Sequence, residues 1–165
     1  MITSRPSEPR ALARREVVVG ALGLVASLLG RPAHAAPAAH PLTVYKDPNC
    51  GCCNVWAERM AATGRFRAAL VNEADMIGRK TRLRVPPEVA SCHTSVVGRY
   101  VLEGHVPPAD VLRLLQSRPT DIVGLAVPGM PAGSPGMEMP DGRRDPYEVL
   151  AFRADGRLSI FARHR

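Results

Sequence analysis

Three of the four cysteines in this chain fall within four residues, Cys50-Gly51-Cys52-Cys53, and the residues around them restrict the folds that can hold them. Before them lies Leu42-Thr43-Val44-Tyr45-Lys46, whose β-branched and aromatic character predicts a strand. Asp47-Pro48-Asn49 is turn chemistry. From about Cys52 onward, Val55, Trp56, Arg59 and Met60 recur at three- and four-residue spacing, a helical period that Thr63-Gly64 ends. The cysteines therefore sit where a strand gives way to a helix. The first turn of a helix offers unpaired N–H groups and a partial positive charge, and both stabilise a thiolate. The thiolate is the nucleophile of disulfide exchange and also the metal-binding form of cysteine, so the placement serves either chemistry.

The rest of the chain continues the alternation. Phe66 to Val71 reads as a second strand. Ala74 to Thr81 reads as a short helix, with Asp75 in its first turn and Arg79 and Lys80 in its last. Ser95 to Val97 and Tyr100 to Leu102 flank Gly98-Arg99 as a tight hairpin. Pro107-Pro108 opens a helix carrying Val111, Leu112, Leu114 and Leu115. Residues 119–146, rich in Gly, Pro and Met, read as one long loop. Val149 to Phe152 and Leu158 to Phe161, around Asp155-Gly156, make a second hairpin. Strand–helix alternation with C-x-x-C at the first junction predicts an α/β fold. The expectation is a thioredoxin-like single domain with an extra C-terminal β-hairpin and a long Gly/Pro/Met loop.

Residues 1–35 read as an export signal and are set apart from the fold. Arg10, Arg14 and Arg15 precede an apolar run from Val17 to Leu29, and Ala33-His34-Ala35 fits a cleavage site. Arg14-Arg15 also suits a twin-arginine signal. The apolar run is short of the roughly 20 residues that span a bilayer, so no stable membrane insertion is expected after cleavage. Residues 36–41 read as a tether, with His40 solvated, and 42–165 as the domain. Export loses five arginines and two glutamates, so the formal +7 of the whole chain falls to about +4. That charge is scattered, aromatics are few, and no nucleic-acid footprint emerges. The expected compartment is the bacterial periplasm, where disulfides persist and four cysteines allow three pairings.

Only three sulfurs lie in the first cluster, so a complete sulfur shell requires Cys92, which His93 follows. Thiolate-rich sites select Cu(I), Zn(II) or iron–sulfur clusters. A structural zinc site uses four well-separated tetrahedral ligands. Cys50, Cys52 and Cys53 are bunched, which suits a multinuclear Cu(I) cluster in which each sulfur bridges metals. Met130 and Met137 add soft thioethers on the long loop, with Met139 close behind, whereas Met60 reads as core. His93 and His105 are further candidate ligands, or His105 hydrogen-bonds a loop carbonyl. His164, near the terminus, and Glu58 and Arg59 read as solvated. The rival chemistry is a thiol–disulfide oxidoreductase using Cys50 and Cys53. No Ser/His/Asp constellation and no phosphate-cradling loop with lysine occurs.

Val44-Tyr45-Lys46 leading into Cys50-Gly51-Cys52-Cys53, then Ser91-Cys92-His93-Thr94, Glu103-Gly104-His105-Val106-Pro107 and Gly124-Leu125-Ala126-Val127-Pro128-Gly129-Met130-Pro131, together form a pattern. It resembles the CopG-like family of bacterial periplasmic copper-resistance proteins, from about Leu42 to His164. The resemblance implies a thioredoxin-like fold that binds copper through Cys50, Cys52, Cys53 and Cys92 as a multinuclear Cu(I) cluster. It implies a role in copper tolerance, with interconversion of Cu(I) and Cu(II), and copper efflux or carrier proteins as partners. His93, His105, Met130 and Met137 lie in matching motifs.

Overall fold

The first strand starts earlier than its composition announces. In the computed structural model, which describes residues 38–165, β1 runs His40–Lys46 and its first residue pairs with Phe66. Two residues assigned to the tether therefore belong to the sheet. His40 is half-buried and its ring lies 6.0 Å from that of Phe66, so it is no solvated tether residue. The expected export signal lies outside the described residues.

After β1 come α1 (Gly51–Ala62), β2 (Phe66–Asn72), α2 (Met76–Arg82), β3 (His93–Val97), β4 (Tyr100–Gly104) and α3 (Pro108–Ser117). Then follow β5 (Ile122–Val127), β6 (Tyr147–Arg153) and β7 (Leu158–His164). One seven-stranded sheet takes the order β2-β1-β3-β4-β5-β6-β7. β1 and β2 are parallel, as are β4 and β5; every other pairing is antiparallel. The helices start and stop where local chemistry directs. Asp75 caps α2 by accepting from the Gly78 N–H at 2.7 Å, and Pro108 opens α3, where its missing N–H costs nothing.

Strand alternation sends side chains to two cores. On one face, Trp56, Ala57 and Met60 of α1 and Val111 and Leu114 of α3 pack on Leu42, Val44, Leu102 and Leu125. On the other, Val101, Ala126 and Phe152 are covered by Val85 and Val89, around the turn of 3-10 helix at Pro87–Val89. Among the described residues, no helix is long and apolar enough to cross a membrane.

The long loop expected over 119–146 is interrupted. Ile122–Val127 forms β5, a strand in the middle of the sheet, so the loop begins only at Pro128. A strand covered on both faces has no polar alternation to betray it. Gly124 also makes it read as loop, yet the glycine is required by packing. A Cβ there would lie 2.1 Å from the Val101 carbonyl oxygen and 2.5 Å from the Phe152 ring. We therefore expect Gly124→Ala to destabilise the fold by about 1–3 kcal/mol, the usual range for an overpacked core. Urea denaturation checks this, and an unchanged midpoint would contradict the packing argument.

Candidate metal centre

The β1–α1 turn is built to present sulfur. Lys46 ends β1 almost fully buried, and its Nζ donates to the carbonyls of Asp47 at 2.8 Å and Pro48 at 3.1 Å. Asp47 in turn accepts from the Asn49 N–H at 2.8 Å, and its carbonyl from the Cys50 N–H at 3.0 Å. Cys50 is then the N-cap of α1, and Cys52 and Cys53 lie in the first turn, at the positive end of the helix. β3 lies beside β1 with His93 opposite Lys46, which carries Cys92 to the same place. The Sγ atoms of Cys50, Cys52, Cys53 and Cys92 all fall within 4.8 Å of one another. Cys50 and Cys53 form a disulfide, while Cys52 and Cys92 are free. Cys52 Sγ lies 3.6 Å from Cys50 Sγ.

Both candidate histidines converge on the same sulfur. His93 Nδ1 and His105 Nε2 each lie 3.2 Å from Cys92 Sγ, and both rings are fully buried. His105 Nδ1 sits 2.7 Å from the Pro135 carbonyl oxygen. A carbonyl only accepts, so Nδ1 carries the proton and Nε2 keeps its lone pair toward Cys92. Burial lowers the pKa of both imidazoles, for His93 well below the ordinary value, so both are neutral. Burial, with Cys52 beside it, pushes the Cys92 thiol up to about 12. His93 also packs its ring 4.5 Å from that of Trp56, whose Nε1–H donates to the Val106 carbonyl at 3.0 Å.

The Met-rich loop lies across the start of α1. Gly136 has φ +84, and a Cβ on it would fall 2.8 Å from the Trp56 backbone nitrogen and 3.3 Å from the Cys52 carbonyl oxygen. Glu138 anchors the strap to Arg59 at 3.0 Å across exposed surface. Met137 follows Gly136 directly and is half-buried, so its backbone is held beside the first turn of α1. Met130, at the start of the loop, is exposed and takes a left-handed φ of +48. His164, expected to be solvated, instead stacks on Tyr147 and holds Asp110 at 2.7 Å, tying the last strand to α3.

Two solved structures titled "Copper resistance protein copG", forms 2 and 1, are similar to this fold. The first is 44% identical, with a TM-score of 0.71 over 77% of this chain and 99% of that one. The second is 46% identical, with a TM-score of 0.70 over 75% and 96%. The chain belongs to the CopG family. A family model described as a protein of unknown function, DUF411, matches residues 89–137, which include Cys92, both buried histidines and the strap. No curated protein matches.

In this CopG-family chain, a buried carboxylate supports the Cys92 side of the site. Glu103 of β4 is fully buried and accepts from Lys80 Nζ at 2.5 Å, Thr94 Oγ1 at 2.7 Å and the Ser91 N–H at 2.6 Å. One carboxylate thus holds both ends of Ser91-Cys92-His93-Thr94. Burial raises its pKa, against the pull of Lys80 and the other donors. Sequence reasoning missed Glu103, Lys80 and Lys46; the available signal was a charge placed inside an otherwise apolar strand. Glu103→Ala leaves the Lys80 ammonium without its partner, and a loss of about 3–5 kcal/mol is expected in urea unfolding. A loss under 1 kcal/mol would mean the network carries little.

The raised Cys92 thiol also predicts a reactivity profile. With a pKa near 12, about one thiol in ten thousand is ionised at pH 8. Alkylation of Cys92 by iodoacetamide in the metal-free chain, followed by mass spectrometry, should be slow. Its rate should rise about tenfold per pH unit from pH 8 to 10 without a plateau. A plateau near pH 9 would indicate an ordinary thiol.

Proposed function

We propose that this is a periplasmic copper-binding protein of copper resistance, holding Cu(I) as a multinuclear cluster on Cys50, Cys52, Cys53 and Cys92. The observation that carries the reading is the convergence of four sulfurs within 4.8 Å, three of them from one helix start. The donor chemistry fits. Thiolates are soft ligands, and bunched thiolates bridge metals more readily than they spread to the corners of a single tetrahedral ion. Each Cu(I) offsets one thiolate charge, so more than one copper lowers the charge a half-buried site must carry. The relatives' titles, which name copper resistance, support the same metal. We also propose that His93 and His105 adjoin the cluster through Cys92, that the Met130–Met137 strap covers it, and that the site passes between Cu(I) and Cu(II). The first four strands, ordered β2-β1-β3-β4 with Cys50 at the turn from β1 into α1, support the thioredoxin-like reading of the core.

A second reading is favoured by one observation, the Cys50–Cys53 disulfide at the N-terminus of α1. That is the placement of a thiol–disulfide oxidoreductase. Cys52 weighs against it, because a third thiol 3.6 Å from Cys50 invites misbridging. The two readings connect. Two electrons from an external reductant must be supplied to the disulfide, giving two thiolates, before Cys50 and Cys53 become ligands.

Anaerobic Cu(I) titration of the reduced chain, with elemental analysis and thiol counting, tests the proposal. We expect two or more tightly held coppers per chain and four thiols protected from alkylation. Cys52→Ser and Cys92→Ser should each lower the copper content by half or more. Full loading in both variants would rule out the four-cysteine site. Absence of tight copper, with thiol exchange retained in Cys52→Ser and abolished in Cys50→Ser, would select the oxidoreductase.

A further inference from the structure

The end of the sheet opposite the cysteines carries an unassigned cluster of cations. β1 begins there at His40, β3 turns into β4 at Gly98-Arg99, and α3 ends there at Arg118. Two adjoining cavities of about 420 and 450 Å³ open at this end and share His40, Leu115 and Arg118 as walls. Arg65 lines the first and Arg99 and Tyr100 the second, and neither is lined by an aspartate or a glutamate. Each volume lies within the range of small-ligand sites.

Ion pairing divides the arginines of this protein into two groups. Seven, from Arg59 to Arg163, form ion pairs with aspartate or glutamate. Among the described residues, Arg65, Arg99 and Arg118 form none, and neither do Arg67, Arg84, Arg143, Arg144 and Arg165; what sets the three apart is that they line these two cavities, with Arg99 also donating to the Thr120 carbonyl at 3.0 Å. Arg65 Nε is buried and has no hydrogen-bond partner, an N–H donor removed from water with nothing to receive it. Arg118 occupies the left-handed region at φ +48, where glycine or asparagine would sit with less strain. A long cationic side chain in that conformation, lining the same cavity as the unpartnered Arg65 Nε, is strain located at a cavity. The carbonyls at the end of α3 contribute about half a negative charge, which one of the three guanidiniums offsets.

We propose that this cleft binds an oxyanion ligand, carboxylate or phosphate, attached to a small apolar body. The guanidinium forks of Arg65 and Arg118, with the remaining donors of Arg99, match the geometry of such oxyanions, and Leu112 and Leu115 of the cavity walls receive the apolar part. The chemistry is shared by two sources: a free small molecule, or acidic side chains presented by another protein. The site lies at the far end of β1 from Cys50, so the inference is independent of the copper reading.

The test is an NMR titration of the isotope-labelled full chain at fixed ionic strength with inorganic phosphate, phenyl phosphate and a hexaglutamate peptide. Saturable shifts are expected at Arg65 Nε–H and at the amides of Gly98 and Leu115. A small-molecule site binds phenyl phosphate at least fivefold tighter than phosphate or the peptide, whereas an acidic-partner site favours the peptide by the same factor. The Arg65→Gln, Arg118→Gln double variant should weaken the preferred probe at least tenfold. Arg118→Gly separates binding from folding: relief of the left-handed residue should raise the unfolding midpoint while affinity falls several-fold. No saturable shift with any of the probes, or shifts equally large in the double variant, would overturn the proposal.

Discussion

The pairing of Lys46 with His93 across β1 and β3 makes one site out of two separate stretches of sequence. The strands are antiparallel, so the end of one meets the start of the other. Cys50 follows β1 by a single turn and Cys92 precedes β3 directly, and the two are brought together as a consequence. A slip of one residue would turn His93 away from Trp56 and His105 and move every side chain of β3 to the opposite face. Glu103 fixes β3 on its other side, against β4. It is the cross-strand neighbour of Thr94, bonds to it, and is itself fastened to Lys80 of α2. The strand that follows Cys92 is therefore held to β4 and α2 from the face of the sheet opposite α1.

Local pattern made much of this readable. The strand, the Asp47-Pro48-Asn49 turn and the helical period around Trp56 are neighbours in sequence, so the position of Cys50, Cys52 and Cys53 follows from short-range chemistry. Cys92 was readable because the hairpin after it has a recognisable turn. β5 was not, since its need for Gly124 comes from Val101 and Phe152, residues far away in the chain. His40 and His164 were read as solvated because they lie near ends. Their partners, Phe66 and Asp110, are tertiary neighbours that no local window contains. Glu103 and Lys80 were invisible for the same reason, although a carboxylate within Tyr100-Val101-Leu102-Glu103 is conspicuous once burial is known.

The strap over α1 is more than a covering segment. Its Pro135 carbonyl decides which nitrogen of His105 carries the proton, and so whether a lone pair faces Cys92. Its Gly136 fits against the backbone of Cys52 and Trp56 so closely that no side chain could stand there. A displacement of the strap would release the tautomer of His105 and uncover the helix turn that carries the sulfurs in one motion. The arrangement links access to the site with the donor character of a residue beside it.

Electrons and protons both stand between this form of the site and a four-sulfur metal cluster. The Cys50–Cys53 disulfide withdraws two of the four donors until two electrons arrive. Burial holds the Cys92 thiol protonated, so a metal that takes its sulfur must also release its proton. Cys92 also lies against two neutral imidazoles, of which His105 Nε2 is placed to receive such a proton. A positive charge so far from water is costly, so it must pass onward or be offset by the thiolates. In the proposed reading, copper uptake is therefore coupled to the reduction of Cys50 and Cys53 and the deprotonation of Cys92. On that reading, the bunching of Cys50, Cys52 and Cys53 at one helix start, poor geometry for a single tetrahedral ion, would let the same residues serve as a closed disulfide and, once reduced, as an open set of bridging ligands.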